Sequence, residues 1–208
     1  DGDWRTHRRQ QRLATDGVGA PAVDSGPAGQ RAANRPPGQL INLTGRAEDD
    51  GRSAGRQLAE GSFVERVLST VRLLEMNPHQ LTLDFDEQTL NDGQPGTLRS
   101  LQALRRVGVQ LALDGFGTGV SSLTALRTCE ADVLKLDGSI ARTLGSNGDD
   151  DPIVRAIIQL AHALDMQVLA EWVTSDDQLR RLRVLGCDLV QGKLIGEPAA
   201  AELFGSQR

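Results

Sequence analysis

The chain has little aromatic surface: aromatic residues make up 3% of 208 positions and Tyr is absent. Serial stacking platforms for single-stranded nucleic acid are therefore not expected. A formal net charge of −5 argues against a general binder of nucleic-acid polymers or anionic membranes, which needs clustered Lys and Arg. The two cysteines, Cys129 and Cys187, lie in apolar segments without metal-ligand spacing, and read as buried thiols in a reducing compartment. No apolar run reaches the ~18 residues of a membrane span, and the first residues lack the apolar centre of a signal peptide. The expectation is a soluble, cytoplasmic protein.

What is present falls into two textures. Residues 1–39 hold four of the eight prolines, six glycines and six arginines, and no face of period 2 or 3.6 passes through them. They are expected to be of low order. From residue 40 the texture changes to a domain spanning 40–208. A short apolar strand at 40–43 is followed by a helix at about 63–76, with Ser62 and Glu65 spaced as a capping box and Asn77-Pro78 as the stop. Strands are then expected at 81–85, 109–114, 132–137, 167–171 and 187–191. Between them lie helices with Leu98, Leu101 and Leu104, with Ile153, Ile157 and Leu160, and with Leu179, Leu182 and Leu185 on one face. A capping box at Ser175–Gln178 starts the last of these.

Strands alternating with amphipathic helices mean βα units and a parallel sheet. Six units fall short of the eight of a closed barrel of ~250 residues. A TIM-like barrel lacking its first two strands and an open doubly wound sheet both satisfy the pattern. The organising stretch is 109–122, V-Q-L-A-L-D-G-F-G-T-G-V-S-S: an apolar strand, one carboxylate, then a glycine-rich turn. In parallel α/β proteins the chemistry sits at that end of the strands.

Asn42, Asp84, Asp114, Lys135, Asp137, Glu171 and Gln191 all fall at or near such ends. Converging carboxylates and amides are hard oxygen donors suited to Mg²⁺ or Mn²⁺, and a lysine among them can meet a phosphate or orient a water. The set suits metal-assisted phosphoester hydrolysis. Any one of these residues alone could equally cap a helix or turn; one at every strand end is harder to assign to capping. His162 reads as a packed or half-exposed helix residue, and Asp149, Asp150 and Asp151 as a solvated approach to a helix N-terminus.

At these residues the sequence resembles the EAL-domain family of cyclic di-GMP phosphodiesterases. L-A-L-D-G-F-G-T-G-V-S-S at 111–122 resembles the family's A-L-D-D-F-G-T-G-Y-S-S, and A-E-W-V-T at 170–174 resembles A-E-G-V-E. V-L-K-L-D at 133–137, G-C-D-L-V-Q-G at 186–192, I-N-L-T at 41–44 and L-D-F-D-E at 83–87 follow in order and spacing. The resemblance implies a TIM-like barrel, here incomplete, hydrolysing cyclic di-GMP to linear pGpG with two Mg²⁺ or Mn²⁺ ions. Asn42, Asp84, Asp114 and Glu171 would be metal ligands and Lys135 would contact the attacking water. Lys135 and Glu171 would thus carry catalysis. Gln191 and Asp137 would give polar support, Glu87 would hold the glycine loop, and Phe116 and Thr118 belong to that loop. The implied partners are cyclic di-GMP and an upstream sensor or GGDEF-type domain or another protein; a homodimer is expected separately, from the exposed sheet edges that two missing strands would leave.

The departures carry weight. No E-A-L-L-R occurs, so a ligating Glu and the Arg after it are not found in these 208 residues. Gly115 replaces the second Asp of D-D-F-G-T-G and offers no donor. Asp84 is one methylene shorter than the family's Glu. Trp172 replaces a Gly and Thr174 a Glu, while Glu197 stands where Arg or Lys is usual. Trp172 and Glu197 are expected to obstruct ligand contacts. The expectation is a degenerate member with weak or no hydrolysis, kept as a sensor or regulatory module; the alternatives are an active phosphodiesterase and a remnant without function.

Overall fold

The computed structural model describes residues 7–8, 10–12, 40–41, 58–91, 96–116, 123–144 and 151–196. Three short strands come first: β1 (His7–Arg8), β2 (Gln10–Arg12) and β3 (Leu40–Ile41). Then follow α1 (Phe63–Leu73), β4 (Thr82–Asp86), α2 (Glu87–Asn91), α3 (Thr97–Arg106) and β5 (Gln110–Phe116). After them come α4 (Leu123–Cys129), β6 (Val133–Leu136), α5 (Gly138–Thr143) and α6 (Asp151–Ala163). The last are β7 (Gln167–Ala170), α7 (Asp176–Leu185) and β8 (Leu189–Gln191).

The main sheet has the order β2-β8-β7-β6-β5-β4. Strands β4 to β8 are parallel neighbours in chain order, joined by helical crossovers, and β2 lies antiparallel to β8 with Gln10 opposite Gln191. β1 and β3 form a separate antiparallel pair. This is the parallel α/β sheet of a TIM-like barrel, seen over part of its circumference; the doubly wound alternative does not hold, because consecutive strands are neighbours throughout β4–β8 with no reversal of order. Within 1–39, β1 and β2 are strands, and the remaining positions lie outside the described residues.

Side chains alternate across each strand. Leu83, Phe85, Leu111, Leu113, Leu134, Leu136, Val168, Ala170 and Val190 face the helices in one large core with Leu101, Leu104, Val154, Ile158 and Leu182. The opposite face carries a small cluster of Ala112, Val133 and Leu169 with Leu189 packed against it. Two residues further along these strands, the same face carries Asp114, Lys135, Glu171 and Gln191.

Local signals set most element ends. Ser175 accepts from the Gln178 backbone N–H while Gln178 accepts from Ser175, the expected capping box. Ser62 forms no such box: its hydroxyl is taken by the Arg66 guanidinium one turn later, which also reaches Glu60. Asn77-Pro78 does more than stop α1, since Asn77 caps a 3₁₀ turn, Pro78–Gln80, that leads into β4. β5 runs through Gly115 and Phe116, where a turn was expected. The register against β6 shifts between Leu113 and Phe116, and Gly115 takes φ 71°. Such a bulge needs one left-handed residue, the conformation that glycine adopts without a Cβ penalty.

His162 Nε2 lies 2.8 Å from Asp188 Oδ2, which also accepts from the Val168 N–H, so α6 is tied to the β7–β8 junction. The hydrogen bond to Asp188 raises the His162 pKa above its usual value, outweighing burial. The stabilisation is then complete below pH ~6.5 and fades as pH rises through the raised value. His162→Gln should therefore cost more stability at pH 5.5 than at pH 8.5, by about 0.5 kcal/mol given the partial exposure of both groups. Chemical denaturation at the two pH values measures the difference.

Candidate active site at the strand ends

β6 delivers Lys135 onto the polar end of the small inner cluster, and its side chain is 1% exposed. Burying an ammonium is costly unless anions surround it. Three do. Lys135 Nζ lies 2.6 Å from Asp84 Oδ2 on β4, 3.1 Å from Asp114 Oδ2 on β5 and 3.1 Å from Glu171 Oε1 just past β7. Burial alone would lower the lysine pKa, but the three carboxylates together raise it above the ordinary value. Asp84 is pushed up to about 6, first by burial and then by Asp114 and Glu171, with Lys135 opposing.

The bulge in β5 serves the cluster. Asp114 Oδ1 accepts the Gly115 N–H at 2.8 Å while its Oδ2 meets Lys135. Gly115 was legible as a missing carboxylate; that it also shapes the bulge was not, because strand and turn readings of a glycine-rich stretch look alike in sequence.

Of the other predicted site residues, Gln191 on β8 is buried at 4% exposure. Asp137 caps α5, accepting the Ser139 N–H at 2.7 Å. Phe116 is half-buried and packs against the main core, and Glu87 opens α2. Asn42, Thr118, Glu197 and most of the glycine loop lie outside the described residues. Both cysteines are buried, and burial raises each thiol, Cys187 to about 12; neither suits a nucleophile. A groove lined by Arg155, Arg180, Arg181, Val184 and Leu185 lies on α6 and α7 and includes none of the strand-end groups.

The donor set fits a hard divalent cation by its chemistry. All donors are oxygens, and Asp84 Oδ1 and Gln191 Oε1 are buried without a hydrogen-bond partner among the described residues, as oxygens reserved for a ligand would be. Among the described residues no three His, Cys, Asp or Glu groups form a metal cage, and Lys135 Nζ stands where the three carboxylates converge.

The fold is thus a partial TIM-like barrel with an acidic, lysine-centred cluster at the C-terminal ends of its strands. Sequence comparison is more specific, for the EAL domain family profile matches residues 52–198. The chain belongs to the EAL domain family, that of the cyclic di-GMP phosphodiesterases. It is 35% identical over 146 residues to MucR of Pseudomonas aeruginosa, described as a bifunctional diguanylate cyclase and cyclic di-GMP phosphodiesterase, covering 70% of this chain and 21% of MucR. A solved structure of the MucR phosphodiesterase in complex with cyclic di-GMP superposes with TM-score 0.68 at 32% identity, over 80% of this chain and 64% of that one. The Klebsiella pneumoniae protein BlrP1, solved with manganese and cyclic di-GMP, gives TM-score 0.67 at 25% identity over 78% and 39%. The chain spans about a fifth of the length of the curated relatives it matches. Among the described residues no helix is long and apolar enough to cross a membrane.

Lys135→Met leaves three carboxylates facing one another without a cation. The expected loss is about 3–5 kcal/mol at pH 7, the cost of an uncompensated buried charge. Millimolar Mn²⁺ should recover part of it, because a divalent ion neutralises the same oxygens. Thermal melts of the variant with and without Mn²⁺ read both effects.

Proposed function

We propose that this chain is a cyclic di-GMP-binding EAL domain whose hydrolysis is weak and whose role is that of a sensor or regulatory module in the cytoplasm. The single observation that carries this reading is an asymmetry inside one site. Asp84, Asp114 and Glu171 all lie within 3.1 Å of the Lys135 ammonium, yet the position after Asp114, where the family has a second Asp, is Gly115 with no side-chain ligand.

Asp84, Asp114, Glu171 and, by resemblance, Asn42 would hold a divalent ion of the Mg²⁺ or Mn²⁺ type. Such an ion supplies Lewis acidity at the phosphorus and a water of lowered pKa. The chain's own groups do the rest. Lys135, held charged by its three carboxylates, can donate a hydrogen bond to a water or phosphate oxygen but cannot accept a proton. Asp84 or Glu171 would be the acceptor for a proton leaving that water. With one carboxylate fewer, a second ion has less to bind to, and the charge developing on the phosphoryl oxygens is less well compensated.

The second reading, an active phosphodiesterase giving linear pGpG, is favoured by the buried oxygens of Asp84 and Gln191 that have no hydrogen-bond partner among the described residues, which keep coordination capacity in the site. The description of MucR as bifunctional supports a diguanylate cyclase-type neighbouring domain as a partner.

Gly115→Asp discriminates between the two readings. Asp tolerates the left-handed region better than most residues, so the substitution should cost only about 1 kcal/mol of stability. If hydrolysis is limited by the missing ligand, turnover of cyclic di-GMP in Mn²⁺ rises at least ~10-fold, the scale of one charge-stabilising contact. Brisk turnover by the unmodified chain, unchanged by Gly115→Asp, refutes the sensor reading.

A further inference from the structure

Trp172 combines three features that the site as described does not use. It is the residue after Glu171, two positions past the end of β7. It stands at φ 60°, a left-handed conformation that is an outlier for a bulky side chain. And it is 48% exposed, the one exposed aromatic residue among those described.

The backbone around it is fixed on both sides. The Glu171 N–H donates to Leu136 O on β6, and the Val173 N–H donates to Gln191 O on β8. Val173 itself is fully buried. The residues on either side of Trp172 are thus anchored to different neighbouring strands, which accounts for how an unfavourable conformation of roughly 1–3 kcal/mol persists. The indole is also held. It rests over Gly138, two residues past the end of β6, where a Cβ would fall 2.3 Å from Cδ1 and 2.6 Å from Cγ. A side chain at 138 would evict the ring. The ring thus lies against the first residue of α5.

A ring packed against Gly138 in a residue that is still 48% exposed is a preorganised stacking surface, since little rotamer entropy remains to be lost on binding. The neighbouring charge says what kind of contact the site needs. Three carboxylates surround one lysine, so a ligand's phosphates gain little from direct attraction, and affinity has to come from bound cations or from uncharged contacts. Every nucleobase has a π-face that an indole can meet whatever the local charge.

We propose that Trp172 is a base-stacking, specificity-determining residue that receives a purine of a nucleotide bound at the Lys135 site. The inference rests on the cyclic di-GMP-binding reading above. It differs from that reading in assigning the contact to a residue at which this chain departs from the family motif.

The chain has two tryptophans, Trp4 and Trp172, so Trp4→Phe leaves one reporter. Titration of that variant with cyclic di-GMP in Mg²⁺ should quench its emission saturably, at the affinity found by calorimetry on the unmodified chain. Trp172→Gly relieves the backbone and should melt no lower than the parent, yet bind cyclic di-GMP ~10-fold more weakly or worse, on the scale of one lost base stack. Trp172→Phe, which keeps a ring, should fall within ~3-fold of the parent. Calorimetric binding without quenching, with Trp172→Gly binding as the parent does, overturns the stacking role and leaves the binding reading intact. An absence of heat with the unmodified chain overturns both.

Discussion

One buried ammonium decides the character of this molecule. Lys135 is enclosed by carboxylates from three separate sheet positions, so the C-terminal ends of β4, β5 and β6 and the segment just past β7 are drawn to one point by charge as well as by hydrogen-bonded registry. Remove the cation and three carboxylates repel one another in a poorly solvated space; remove the carboxylates and the ammonium is left desolvated. Neither half is stable alone, and this mutual need ties the four segments together at the mouth of the barrel, above the small apolar cluster of Ala112, Val133 and Leu169.

That arrangement also limits the chemistry. The site is anionic in sum, so it attracts cations, and with them phosphates, more readily than phosphates directly. Gly115 marks a loss within it: the left-handed residue in the β5 bulge offers Asp114 its backbone N–H but brings no side-chain ligand. The stacking surface offered by Trp172 is the uncharged counterpart of this deficit, placed on the rim two residues past a strand, as Gly138 beneath it is.

Much of this was legible in the sequence for physical reasons. Short apolar runs that end in a polar residue placed Asp84, Asp114, Lys135, Glu171 and Gln191 at or near the ends of strands, and βα alternation required those strands to be parallel. The capping box at Ser175 was readable because both partners are local. The failures occurred where local chemistry had a competitor. At Ser62 the hydroxyl was taken by Arg66, whose long side chain outreaches the capping geometry. The continuation of β5 through Gly115 could not be told from a turn, since both use a glycine with positive φ. The strands at Gln10–Arg12 and His7–Arg8 carry no periodic pattern of their own; their pairing is with β8 and β3, and short antiparallel segments take their register from such partners. The left-handed Trp172 had no signal except the family's Gly at that position.

The central claim is that Lys135 is a permanent cation held by three carboxylates. It is tested most directly by following the Lys135 side-chain ¹⁵N and ¹³Cε resonances through a pH titration of the folded chain. The account predicts an ammonium that stays protonated beyond the ordinary lysine range of about 10.4 and titrates, if at all, only as the fold is lost. A Lys135 that deprotonates below that value while the chain remains folded would contradict it, for the carboxylates would then not be compensating its burial.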